Sequence, residues 1–142
     1  MKAEIHRACS LHELATFAKY LTPILEKGTL LALNGDIGSG KTTLSKYLIN
    51  YLTSTRIEEI SSPTFNLYQT YSNQDLIISH YDFYRIDNSH ELEELDISDS
   101  IKNNVTIIEW ANKFPSVLPK DHIEIQIINK SDKRDYKIFF HG

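Results

Sequence analysis

Cysteine is nearly missing from this chain of 142 residues: Cys9 stands alone, so no internal disulfide can form. A lone cysteine without a secretory leader is the usage of a reducing compartment, and the expected location is the cytoplasm. Long apolar runs are missing too. None approaches the ~20 residues of a membrane helix, so no membrane association is expected. There is no excess of positive charge: 15 Lys and Arg against 19 Asp and Glu leave −4. That balance argues against a domain gripping nucleic acid unaided through its phosphates, although a part in a nucleic-acid pathway through partners stays open. Arginine is scarce, with only Arg7, Arg56, Arg85 and Arg134. Small-molecule kinases usually close an arginine-bearing lid over the transferring phosphoryl group, and no segment here offers one. Glycine is sparse as well, 5 in all, yet Gly35, Gly38 and Gly40 fall in one turn.

What is present is the composition of an ordinary globular protein, 41% hydrophobic and 24% charged, so residues 1–142 are expected to form a single domain. Ser10-Leu11-His12-Glu13 has the spacing of a capping box, and Leu11, Leu14, Ala18 and Leu21 then recur at helical spacing until Pro23. Thr29 to Asn34 is a continuous apolar run, the pattern of a strand buried on both faces in a parallel sheet. After the glycine turn, Leu44, Tyr47, Leu48, Tyr51 and Leu52 trace one face of a helix. Thr53 to Thr64 reads as a loop. Phe65 to Tyr71 and Leu76 to Tyr81 read as a hairpin, with short helical stretches over Ser89 to Leu95 and Ile97 to Asn103. Val105 to Ile108 is another buried strand. The alternations Ile123, Ile125, Ile127 and Tyr136, Ile138, Phe140 flank a turn at Asn129 to Asp132, an antiparallel pair. The expected fold is α/β: a P-loop NTPase-like sheet with parallel central strands, antiparallel edge strands and hairpin, and helices on both faces.

Gly35-Asp36-Ile37-Gly38-Ser39-Gly40-Lys41-Thr42 fits G-x-x-x-x-G-K-[ST]. The glycines let the backbone turn tightly and bring its amides close to phosphate oxygens. The helix beginning near Lys41 adds its positive N-terminal end. Lys41 can bridge β- and γ-phosphates as a compact charge, and the Thr42 hydroxyl is placed to ligate Mg²⁺. Thr43 follows in the first helical turn, where it can touch phosphate or be an ordinary helix residue.

A nucleotide site also needs metal ligands and an acceptor that orients water. In an open α/β sheet these come from the carboxyl ends of neighbouring strands. Two strands end suitably, one in Asp82 and one in Glu109. Asp82 sits where the second Mg²⁺-binding acid of P-loop enzymes usually sits and can act through a water, while Glu109 can ligate Mg²⁺ directly or polarise the attacking water; a salt bridge, for example to Arg85, is the bland alternative for each. Ser62-Pro63-Thr64 lies where nucleotide switches often sit. A Thr64 hydroxyl there can sense a γ-phosphate, and an ordinary turn with φ set by Pro63 accounts for the same residues. Guanine-specifying patterns are incomplete: Asn112-Lys113-Phe114-Pro115 lacks the aspartate of N-K-x-D, and Asp82-Phe83-Tyr84-Arg85 lacks the glycine of D-x-x-G. The expected ligand is ATP with Mg²⁺, and the expected reaction a weak, partner-stimulated hydrolysis. The alternatives are a small-metabolite kinase and a nucleotide-gated interaction module with incidental hydrolysis.

The segments "LNGDIGSGKTT", "SSPTF", "HYDFYR", "ELEELDI", "IIEW" and "LPKDHIEI" follow one another in the order and spacing of the TsaE (YjeE) family, bacterial tRNA threonylcarbamoyladenosine biosynthesis ATPases. The chain resembles that family from about Ser10 to the final hairpin. The resemblance implies an ATPase that acts on a pair of partner proteins, TsaD and TsaB. That pair attaches threonylcarbamoyl to adenosine 37 of tRNAs reading ANN codons, so tRNA is met indirectly. It further implies that Thr42 and Glu109 are metal ligands, that Lys41 and the loop amides grip phosphate, and that Asp82 is needed for hydrolysis. The Thr64 loop would be the switch, and Ser10 and Arg134 would border the adenosine. Asp96 is a departure, standing where a glycine is common in the family.

Overall fold

The computed structural model describes residues 2–8, 10–61, 63 and 67–142, with Lys2 as backbone only. The chain opens with a strand, β1 (Lys2–Ala8), where the sequence pattern suggests nothing. Its side chains alternate in burial but are mostly polar. Antiparallel pairing with the last strand, from Lys2 opposite Phe140 to Ala8 opposite Arg134, is what makes it a strand.

Ser10 acts as the N-cap, its Oγ accepting the Glu13 amide at 3.1 Å, and starts α1 (Leu11–Leu21). Leu14, Phe17, Ala18 and Leu21 face the core. Leu11 does not, contrary to its place in the periodicity; it is 62% exposed, because the first turn of α1 borders a surface hollow rather than the sheet. Next come β2 (Leu30–Gly35) and α2 (Lys41–Thr53), with the glycine turn between them. In α2, Leu44, Leu48 and Ile49 are buried, while Tyr47, Tyr51 and Leu52 only flank the core.

Two strands follow, β3 (Tyr68–Ser72) and β4 (Ile77–Asp82). The expected start of that hairpin at Phe65 lies outside the described residues, and Leu67 has a positive φ of 65° that no strand continues through. The short helices α3 (His90–Glu93) and α4 (Ile97–Asn103) are separated by Asp96, whose left-handed backbone (φ 52°, ψ 40°) is a conformation glycine adopts without steric cost. The chain ends in β5 (Val105–Glu109), β6 (His122–Lys130) and β7 (Lys133–His141).

All the strands join one sheet in the order β1-β7-β6-β2-β5-β4-β3. β6, β2, β5 and β4 are mutually parallel; β7, β1 and β3 add antiparallel edges. α1 and α2 cover one face, where Leu31, Leu33, Leu44, Leu48 and Ile49 form a fully buried cluster. Residues of α3 and α4, with Phe83 and Ile86, cover the other face over Tyr81, Leu30 and Ile108. Burying one Leu or Ile side chain is worth ~1.5–3 kcal/mol. That cluster ties β2 and α2 together, so the turn joining them is anchored at both ends. The parallel strands end on one side of the sheet, with Asp82 directly opposite Glu109 in the ladder. Among the described residues no helix is long and apolar enough to cross a membrane.

Candidate functional site

The glycine turn leaves β2 at Gly35 and enters α2 at Lys41. Gly38 (φ 76°) and Gly40 (φ 104°) both adopt the left-handed region, which accounts for glycine at those two positions. Gly40 caps α2 without a side chain, so the first-turn amides carry no side-chain acceptor. Such an end attracts anions.

Lys41 is almost fully buried, and its ammonium donates to Gly35 O (2.6 Å), Asp36 O (2.9 Å) and Ser39 Oγ (3.2 Å). All three of its donors are therefore spent on its own loop. Burial lowers the ammonium's pKa below the usual lysine range, partly offset by the nearby carboxylates of Glu109, Asp82 and Asp36. The indole of Trp110 lies over it, with Nζ 4.0 Å from the ring centroid. Trp110 gets there because its backbone turns left-handed (φ 60°) straight after β5. Tyr84 supports the indole, the rings 4.9 Å apart.

Glu109 ends β5 at 2% exposure. Burying a carboxylate is costly unless its oxygens are hydrogen-bonded. Both are: Thr42 Oγ1 donates to Oε1 at 2.7 Å, and His80 Nε2 stands 2.6 Å from Oε2. Asp82, also buried, accepts the Tyr84 amide at 2.9 Å.

These groups meet in one cleft of about 350 Å³, lined by Gly38 to Thr43 on one side and by Asp82, Glu109 and Trp110 on the other. Arg134, from β7, reaches its rim: a Cβ on Gly40 would stand 3.4 Å from the guanidinium. Arg134 also borders a neighbouring hollow of about 520 Å³ that contains Ser10 and Leu11. So Lys41, Thr42, Thr43, Asp82, Glu109, Ile37, Ser39 and Arg134 come together, and Ser10 is next door. Gly35 and Asp36 do not line the cleft. They border a hollow on the far side of the loop and contribute their carbonyls to Lys41. Thr64 lies outside the described residues.

The donor set of the cleft is hydroxyl and carboxylate oxygen, the kind a hard divalent cation takes. Among the described residues no three His, Cys, Asp or Glu side chains converge as a self-sufficient metal centre. Thr42 and Glu109, with Asp82 nearby, fit a metal that brings phosphate oxygens with it.

His80 opens the segment "HYDFYR", yet the sequence alone gives it no role. It is fully buried in the middle of β4, and only the strand register reveals that it reaches Glu109.

A glycine turn between a buried parallel strand and a helix, facing acids at neighbouring strand ends, defines the class: P-loop NTPase-like α/β proteins. The solved structure of Bacillus subtilis YdiB superposes with a TM-score of 0.79 at 25% identity, covering 99% of this chain and 87% of that one. The family profile described as "Threonylcarbamoyl adenosine biosynthesis protein TsaE" matches residues 8–137. A Rickettsia bellii protein named tRNA threonylcarbamoyladenosine biosynthesis protein TsaE is 36% identical over 126 residues, 88% of this chain and 87% of the relative. The Bacillus subtilis protein of the same name is 32% identical over 133 residues, 93% and 82% of the two chains. The chain belongs to the TsaE family, involved in tRNA threonylcarbamoyladenosine biosynthesis.

Proposed function

We propose that the chain binds ATP with Mg²⁺ in this cleft, hydrolyses it slowly in the cytoplasm, and by doing so serves a TsaB–TsaD complex that modifies position 37 of ANN-decoding tRNAs. The observation that carries the reading is the meeting, in one cleft, of an uncapped helix end, a lysine and a Thr42–Glu109 oxygen pair 2.7 Å apart.

The loop amides and the N-terminal end of α2 take the phosphates. Lys41 exchanges its loop acceptors, Gly35 O, Asp36 O and Ser39 Oγ, for phosphate oxygens. Thr42 and Glu109 hold the metal, with Asp82 beside them; bound there, Mg²⁺ neutralises charge on the terminal phosphates. Asp82, next to Glu109 in the ladder, is the acceptor positioned to orient a water. Trp110, backed by Tyr84, covers Lys41 and limits water around it. Ser10 and Arg134, on the adjoining hollow, border the adenosine. Thr64 senses the γ-phosphate. Arg134, the arginine that lines the cleft among the described residues, is assigned to the adenosine and so not to the transferring phosphate; the lack of an arginine finger is worth ~10³–10⁵ in rate, which supports slow, partner-stimulated turnover. The acidic balance of the chain supports tRNA contacts supplied by the partners.

Phosphate release from ATP without added substrate, at a turnover below about 10 s⁻¹, is expected, rising when TsaB and TsaD homologues are added. Glu109→Ala and Asp82→Ala are expected to abolish both release and restoration of the tRNA modification. Full restoration by variants that release no phosphate would show gating without hydrolysis, and phosphate transfer to a metabolite would show a kinase.

A further inference from the structure

Glu109 is held from two sides, and the second holder has an unusual account of its own hydrogen bonds. His80 is fully buried, flanked in the sheet by Gln69 on β3 and Ile107 on β5. Its Nε2 lies 2.6 Å from Glu109 Oε2, while its Nδ1 has no hydrogen-bond partner among the described residues. A buried polar atom left unpaired costs stability. A histidine kept only to satisfy the interior would be expected to bond through both ring nitrogens. Here, among the described residues, one nitrogen has no partner and the other is committed to the acid.

We infer that His80 is a positioning residue that fixes the plane of the Glu109 carboxylate, so that one of its oxygens is held toward the phosphate cleft. The terminal carboxylate torsion is soft and two-fold. With Thr42 alone, the carboxylate plane can rotate about that torsion and carry its oxygens away from the cleft. A carboxylate oxygen accepts, so His80 donates its Nε2–H to Oε2, which turns that oxygen back toward the sheet and leaves Oε1 forward, at Thr42. The ring cannot swing away, because the strands on either side and the core wall it in. Groups that hold a metal's ligand in place typically change metal affinity 10–100-fold when removed. The inference rests on the Mg²⁺–ATP reading of the cleft and assigns His80 the coupling between metal and nucleotide.

Two variants separate position from polarity. In His80→Gln the side-chain amide reaches the place of Nε2; in His80→Asn it reaches only the place of Nδ1. ATP binding is followed by the fluorescence of Trp110, the single tryptophan of the chain, first in EDTA and then across an Mg²⁺ titration. The expected result for His80→Asn is a rise of ~10–100-fold in the Mg²⁺ concentration for half-effect, with the ATP affinity in EDTA unchanged. His80→Gln is expected to stay close to wild type. Equal behaviour of the two variants, or equal losses with and without metal, would overturn the inference. Should the variants fail to fold, the ¹⁵N-histidine spectrum of the wild type decides. A proton on Nε2 whose resonance moves when Mg²⁺ joins ATP supports positioning; a proton on Nδ1 alone, or an unmoved resonance, overturns it. A wild type whose ATP binding ignores Mg²⁺ refutes the nucleotide reading itself, a result distinct from variants that fail to differ.

Discussion

Gly35 is the glycine of the loop whose backbone would tolerate any residue, and substituting it is expected to do more harm than substituting its left-handed neighbour Gly38. A Cβ on Gly35 would stand 2.7 Å from Ser39 Oγ and 2.9 Å from the Ile127 carbonyl oxygen. Ser39 can rotate, at the expense of the bond it accepts from Lys41. The carbonyl cannot, because Ile127 is the ladder partner of Gly35 in the β2–β6 pair. Forcing a methyl into packed surroundings costs ~1–3 kcal/mol. Gly38 is the opposite case: its φ is 76° and nothing lies within 4 Å of its Cβ position. There the cost is conformational alone, ~1–2 kcal/mol, less ~0.4–1 kcal/mol recovered from the unfolded chain. Gly35→Ala should therefore be the more destabilising variant. Urea denaturation followed by Trp110 fluorescence measures it: with a slope of ~2 kcal/mol/M, the Gly35→Ala midpoint falls by ~0.5–1.5 M at unchanged slope. A Gly35→Ala midpoint equal to wild type, or a greater loss from Gly38→Ala, would refute the close approach of the loop to β6.

Tyr81 donates its one hydroxyl proton to Leu95 O (3.1 Å) and accepts from Ser100 Oγ (2.8 Å); Tyr81→Phe should cost ~1–2 kcal/mol in the same denaturation, and an unchanged midpoint would contradict those bonds. Burial pushes the Tyr81 hydroxyl up to about 12, so folded stability should fall as pH rises above the ordinary tyrosine value of about 10, less steeply in Tyr81→Phe. Desolvation pushes Glu124 up, but hydrogen bonds from His141, Asn34 and Gln126 outweigh it and leave the carboxyl below its usual 4.5. Its contribution is full above about pH 4.5 and is lost as pH falls through the lowered value; Glu124→Gln should show a shallower fall of stability in acid, and equal slopes would count against the network.

Much of this architecture is legible from local pattern. The N-cap at Ser10, the apolar runs of β2 and β5 and the alternations of β6 and β7 are set by neighbours in sequence, as is the glycine turn. What escapes is set by neighbours in space. β1 is a strand because β7 offers it an edge. Leu11 is exposed because the first turn of α1 borders a hollow, a fact periodicity cannot carry. The reach of Trp110 over Lys41 depends on one left-handed residue after a strand. His80 opens the segment "HYDFYR", but its role shows only when the β4–β5 register, pairing it with Ile107, brings its ring to Glu109 two residues on. The same register, with Asp82 opposite Glu109, explains why two acids far apart in sequence share one cleft with residues 38–43.

The central claim is that this cleft takes a metal–triphosphate through the loop and Lys41. Calorimetric titration of wild type and Lys41→Ala with ATP and with GTP, each with and without Mg²⁺, tests it directly. ATP should bind, more tightly with Mg²⁺ than without and more tightly than GTP. Lys41→Ala should lose ~10–100-fold, the worth of one charge-assisted contact of ~1.5–3 kcal/mol. No heat of binding from ATP, or equal affinity in Lys41→Ala, would contradict the account.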